Sequence, residues 1–123
     1  MPKTILVVED SPVQALALCK LLEKQNLTVL CAPNGVAGLE LAHAQRPDAI
    51  VLDIQMPEMD GLEACRYLHA DPQTASIPIV LLTAHTEFEA LSEGLEGGAV
   101  DFIPKDAFSD KVLIETLHQL EIL

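Results

Sequence analysis

Aromatic side chains are scarce in this chain: they make up 3% of 123 residues, and tryptophan is absent. So few rings leave little to sandwich a flavin. Basic residues are few as well, with 7 Lys and Arg against 19 Asp and Glu and a formal net charge of −12. Nucleic-acid binding leans on clustered Lys and Arg, and anionic membranes attract the same residues, so this balance argues against both as partners. Cysteine occurs 3 times, at Cys19, Cys31 and Cys65, with no C-x-x-C pair. An odd, scattered set reads as buried free thiols in a reducing cytoplasm. Long apolar runs are missing too. The run after Met1-Pro2-Lys3-Thr4 covers only Ile5–Val8, too short for a signal peptide or a membrane span.

What is present suits one domain over residues 1–123, because half of the residues (50%) are apolar and can form a core without staples. Two textures alternate. Short aliphatic or β-branched runs read as buried strands: Ile5–Val8, Leu27–Leu30, Ala49–Leu52, Ile79–Leu82 and Val100–Ile103. Between them, apolar residues recur at helical spacing. The stripes are Ala15, Leu18 and Leu22; Ala37, Leu41 and Ala44; Ala64, Cys65 and Leu68; Phe88, Leu91 and Leu95; and Leu113, Leu117 and Leu120. The punctuation agrees. Ser11-Pro12 reads as an N-cap followed by Pro at the first helical position. Asn34 and Asp60-Gly61 can open the second and third helices, Asp71-Pro72 ends the third, and Gly97-Gly98 stops the fourth. Five βα alternations predict an α/β fold with a parallel sheet between helices. The compact form is the flavodoxin-like doubly wound fold, (βα)5, with strand order 2-1-3-4-5.

In such a sheet the C-terminal strand ends share one edge, and ligands bind there near the switch point between strands 1 and 3. Glu9 and Asp10 follow the first apolar run, Asp53 the third, Thr83 and Ala84 the fourth, and Pro104 and Lys105 the fifth. Strand 2 ends in Cys31-Ala32, without charge. Carboxylates gathered so closely resist ionising unless a cation joins them. Mg²⁺, a hard ion that takes a few carboxylates and several waters, fits that inventory. It would keep positions open for phosphate oxygens. Lys105 and Thr83 suit the remaining phosphate oxygens, one by charge and one by hydrogen bond. Asp53 can then act as the nucleophile that forms an acyl phosphate, with catalysis resting on in-line positioning and charge neutralisation. Each residue also has a plainer reading. Asp53 could be a turn residue, Glu9-Asp10 a favourable pair at a helix start, Thr83 a β-former and Lys105 a solvated surface charge.

The stretch Asp53-Ile54-Gln55-Met56-Pro57-Glu58-Met59-Asp60-Gly61 resembles the D-x-x-M-P-x-M-D-G signature of bacterial two-component response-regulator receiver domains. Val7-Val8-Glu9-Asp10, Leu82-Thr83-Ala84 and Asp101-Phe102-Ile103-Pro104-Lys105 resemble that family's other strand-end motifs, in order, from about Lys3 to Leu120. The resemblance implies phosphorelay signalling. Asp53 would accept a phosphoryl group from the phosphohistidine of a histidine kinase or from a phosphotransfer protein. Mg²⁺ would be held by Asp10, Asp53 and the main-chain carbonyl of Gln55, with Glu9 acting through water. Thr83, Ala84 and Lys105 would hold the phosphate, and Thr83 with Phe102 would form the switch. It implies a cytoplasmic module that is no enzyme beyond its own phosphorylation and dephosphorylation. Its output partner is not named by the sequence. Homodimer faces to consider are the one made by helix 4, strand 5 and helix 5, and helix 1. Glu87 and Leu91 do not match the basic residues with which winged-helix members dimerise.

Lys105 is followed by Asp106 where the family usually has Pro after a cis bond. A cis bond without Pro costs about 3–4 kcal/mol, so a trans bond is expected. Phe102 lacks the hydroxyl of the usual Tyr. His85, two residues after Thr83, reads first as a solvent-exposed helix start; its second reading, shared with the Gln55 side chain, is a place at the border of the site with influence on the lifetime of the phosphoryl group. A phosphorylation-independent pseudo-receiver, acting as a protein-interaction module, is the alternative; Asp106 speaks for it and the intact Asp53, Asp10 and Lys105 against it. A phosphatase of the haloacid-dehalogenase kind needs D-x-D-x-T, which Asp53-Ile54-Gln55-Met56-Pro57 lacks. A flavodoxin-type electron carrier needs a Ser/Thr/Gly-rich loop after strand 1, which is absent.

Overall fold

The structure is a computed structural model that describes residues 2–83, 98–99, 101–105 and 109–123, with the backbone alone at Phe102. In chain order the elements are β1 (Thr4–Val8), α1 (Pro12–Glu23), β2 (Thr28–Ala32), α2 (Gly35–Gln45), β3 (Ala49–Asp53), α3 (Gly61–Ala70), β4 (Ile79–Thr83), β5 (Asp101–Pro104) and α4 (Ser109–Gln119). All strand pairs are parallel, and the sheet order is β2-β1-β3-β4-β5. The predicted topology is therefore the observed one. The fourth helical stripe of Phe88, Leu91 and Leu95 lies outside the described residues. So do Ala84, His85, Glu87, Gly97, Asp106 and its bond to Lys105, and the Phe102 side chain.

The central strands read as unbroken apolar runs because both of their faces are covered; every residue of β3 and β4 is buried. Successive side chains point to opposite faces. Leu6, Val8, Ile50, Leu52, Ile79 and Leu81 meet Ala42 of α2 and Ala64, Cys65 and Leu68 of α3. Ile5, Val7, Val51, Val80, Leu82 and Ile103 meet Leu22 of α1 and Leu113 and Leu117 of α4. Each such aliphatic side chain contributes about 1.5–3 kcal/mol on full burial. The caps stand where the sequence puts them. Ser11, Asn34 and Asp60 each accept a backbone N–H from the first turn of the helix that follows, from Gln14, Ala37 and Glu63. Among the described residues no helix is long and apolar enough to cross a membrane.

Three expectations are corrected. Strand 2 runs from Thr28 to Ala32, not from Leu27 to Leu30, because its register is fixed by β1, from Thr4↔Thr28 to Val8↔Ala32. It is an edge strand with Thr28 and Cys31 exposed, so apolarity alone marks it poorly. Of the expected α2 stripe Ala37 and Leu41 pack on the core, but Ala44 is exposed, and the residues the helix buries are Gly35, Gly38 and Ala42. Gly38 lets the helix lie against β1: a Cβ there would come within 2.8 Å of Val8 Cγ2. The expected buried thiol holds for Cys65, which is in no disulfide. It fails for Cys19 and Cys31, which form a disulfide joining α1 to β2, with Cys31 exposed. Helix α1 packs on β2, a contact that residue spacing does not disclose.

β5 is the other edge strand, and it includes Pro104, opposite Thr83. Proline is tolerated at an edge because no outer strand needs its missing N–H.

Candidate functional site

The C-terminal ends of β1, β3, β4 and β5 converge. The β1 ladder continues one residue past the strand, since the Glu9 N–H donates to the Ala32 carbonyl at 3.1 Å. Chain direction then turns at Asp10 into the Ser11 cap, and the Ser11 N–H donates to Glu9 Oε1 at 3.2 Å. Asp53 closes β3, where the Gln55 N–H donates to its Oδ1 at 3.2 Å. A close turn follows: the Gly61 N–H donates to the Ile54 carbonyl at 3.0 Å. A side chain at Gly61 would collide with the Asp53 carbonyl oxygen, so only glycine lets α3 start this near β3. Glu58 within this turn takes φ 68°, a left-handed conformation unusual for a side-chain-bearing residue. Thr83 ends β4, and its carbonyl accepts the N–H of Lys105.

The side chains gather around one ammonium. Lys105 Nζ lies 3.0 Å from Glu9 Oε2 and 3.1 Å from Asp53 Oδ2. It also donates to Gln14 Oε1 at 2.7 Å. Glu9 and Asp53 are buried at 2% and 3% exposure, as is Thr83 at 2%, whereas Asp10 is exposed. Burial, reinforced by the hydrogen bond to Asp53, pushes Glu9 up to about 7; Lys105 and the Ser11 amide pull it down only in part. Burial would lower Lys105, but Glu9 and Asp53 outweigh it and hold the ammonium above its usual range.

One cation thus faces a surplus of carboxylate. Ligand oxygens from Glu9, Asp10 and Asp53 all lie within 4.8 Å of one another. An all-oxygen set with an exposed member and an anionic excess is what a hard divalent ion takes, so these residues fit Mg²⁺. The predicted Glu9, Asp10, Asp53, Thr83 and Lys105 therefore share one edge. Gln55 stands two residues beyond Asp53 with its side chain exposed. Sequence reading missed Gln14, whose one signal is its place in the first turn of α1, and the amide of Ser11.

Residues 5–118 match the model of the response regulator receiver domain. The chain is 35% identical over 114 residues to protein PilH of Pseudomonas aeruginosa, covering 93% of each. Other curated relatives are longer, and the chain spans about half of them (48%), as with the response regulators MprA of mycobacteria. Among solved structures, Vibrio cholerae chemotaxis protein CheY4 superposes with a TM-score of 0.90 at 29% identity, over 98% of this chain and 99% of that one. The receiver domain of the sensor histidine kinase PA1611 of P. aeruginosa gives 0.88 at 29% identity over 98% of both. It was solved with a magnesium ion coordinated in its active-site cleft.

Proposed function

Because the chain belongs to the response regulator receiver domain family, and so to phosphorelay signalling, we propose that residues 1–123 form one receiver that accepts a phosphoryl group on Asp53. The observation that carries this reading is the placement of Asp53, a buried carboxylate ending the middle strand, with the Lys105 ammonium 3.1 Å from its Oδ2.

A carboxylate oxygen of Asp53 attacks the phosphorus of a phosphohistidine on a histidine kinase or phosphotransfer protein. The P–O bond forms as the P–N bond breaks, and the imidazole leaves with the electron pair. The Gln55 amide fixes the carboxylate by its Oδ1. Lys105 exchanges carboxylate partners for a phosphate oxygen, keeping its charge paired. Thr83, together with the amide of Ala84, offers hydrogen bonds to the other oxygens. Mg²⁺, held by Asp10, Asp53 and the Gln55 carbonyl with Glu9 acting through water, would neutralise the carboxylates and the incoming phosphate. The phosphoryl group then biases a two-state output surface, with Thr83 and Phe102 as its switch.

Incubation with a small acyl-phosphate donor and Mg²⁺ tests the reading. Intact mass is expected to rise by one phosphoryl group on the natural chain and not on Asp53→Asn. A folded natural chain that stays unlabelled, and whose spectra ignore beryllofluoride, would sink it and leave the binding-only module.

A further inference from the structure

Beside the acidic pocket lies a second reactive pair that phosphoryl transfer does not use. Cys19 is on the buried side of α1, and Cys31 is exposed on edge strand β2. They are bonded in this structure, with Cα atoms 7.5 Å apart. With one member exposed on an edge strand, such a bridge is of the labile kind that small thiols can open. We propose that Cys19 and Cys31 are a reversible redox site, closed and opened by exchange with small disulfides of the glutathione class.

The exposure of the two residues sets the order of events, Cys31 being exposed and Cys19 buried. Cys31 loses its proton, and its thiolate attacks one sulfur of glutathione disulfide. That S–S bond breaks, and one glutathione thiolate leaves with the electron pair. Cys19, deprotonated in turn, attacks the Cys31 sulfur and expels the second glutathione thiolate. Two protein thiols give up two electrons and two protons, and one disulfide becomes two thiols. Reduction retraces the path through Cys31, the exposed residue of the pair. Cys65 takes no part, because it is buried and its thiol is pushed up to about 11 by that burial.

The bond ties together the two elements that flank the carboxylate loop. Ala32, next to Cys31, accepts the N–H of Glu9, and Ser11 opens the helix that carries Cys19. Closing the pair therefore stiffens the approach to Glu9 and Asp10, whether or not Asp53 is phosphorylated.

The full chain is equilibrated with excess glutathione disulfide or excess glutathione, denatured in N-ethylmaleimide and weighed intact. The oxidised sample is expected to carry one maleimide, on Cys65, and to yield a linked Cys19–Cys31 peptide; the reduced sample is expected to carry three. Three maleimides after oxidation, a lasting glutathione adduct without closure, or a bond that excess glutathione leaves intact would each overturn the proposal. Cys31→Ser, a small change at an exposed position, is expected to carry two maleimides under both conditions. A difference between its two samples also counts against the pair. In amide exchange on the natural chain, the Glu9 N–H is expected to be slower in the closed form. Equal rates would refute the link to the pocket.

Discussion

Glu9 sets the electrostatics of the pocket, and its charge has a consequence for stability. Its usual value of 4.5 moves to about 7 in the fold. The folded chain therefore holds this proton more tightly than the unfolded chain does. Stability from this group is present below the unfolded value and is lost as pH rises from there through 7, by roughly 3 kcal/mol. Urea midpoints of the metal-free chain are expected to fall between about pH 5 and pH 7.5, and Glu9→Gln to flatten that slope; an unchanged slope in the variant would assign it elsewhere. Lys105, held above its usual 10.5, follows the same sign in a higher window: its pairing is present below that value and lost only as pH rises above it. Lys105→Met removes the ammonium shared by Glu9 and Asp53. It is expected to slow acyl-phosphate formation by ~10²-fold, a loss typical of one preorganised charge. Timed intact-mass measurements with a small phosphodonor would read it. At this scale the site was legible wherever a polar residue directly follows an apolar run, as Glu9 and Asp53 do. Gln14 was not, because it reaches Lys105 across 91 residues of sequence, by the packing of α1 beside the strand ends.

Among the elements, capped helices and doubly covered strands were the easiest to read. Asn34, Asp60 and Ser11 announce their helices by side-chain chemistry, and β3 and β4 by unbroken apolar runs. β2 and α2 were read poorly for physical reasons. One is a half-exposed edge, and the other buries glycines, which no apolar count registers. The tightest junction is the start of α3. Alanine at Gly61 would put its Cβ within 2.8 Å of Ile54 Cα as well as against the Asp53 carbonyl. Both obstacles are backbone, so neither can swing aside. Gly61→Ala is expected to destabilise by about 2–3 kcal/mol despite alanine's helix preference of about 1. Asn34→Ala, which removes only a cap, is expected to cost about 1 kcal/mol. Urea unfolding of the two variants side by side tests that ranking.

Over the whole molecule, the strand order β2-β1-β3-β4-β5 is that of the compact doubly wound form, and the parallel sheet follows from five alternations. The Cys19–Cys31 bond does not, since it depends on which strand α1 covers. It joins residues 12 apart, so the closed chain is expected to melt roughly 5–10 °C above the reduced one in paired calorimetric scans. The net charge of −12 acts on the same scale, and added salt should raise the melting point of the metal-free chain by screening self-repulsion. The two margins of the sheet are unequal in a further respect. The amide of Lys105 faces β4 through the Thr83 carbonyl, so the neighbouring Pro104 turns its ring to the open side. A foreign strand approaching there meets no donor at that position. Cross-β growth from a partly opened molecule would accordingly start along β2, and a proline introduced on the outward-facing amides of that strand would be the change that suppresses fibrils.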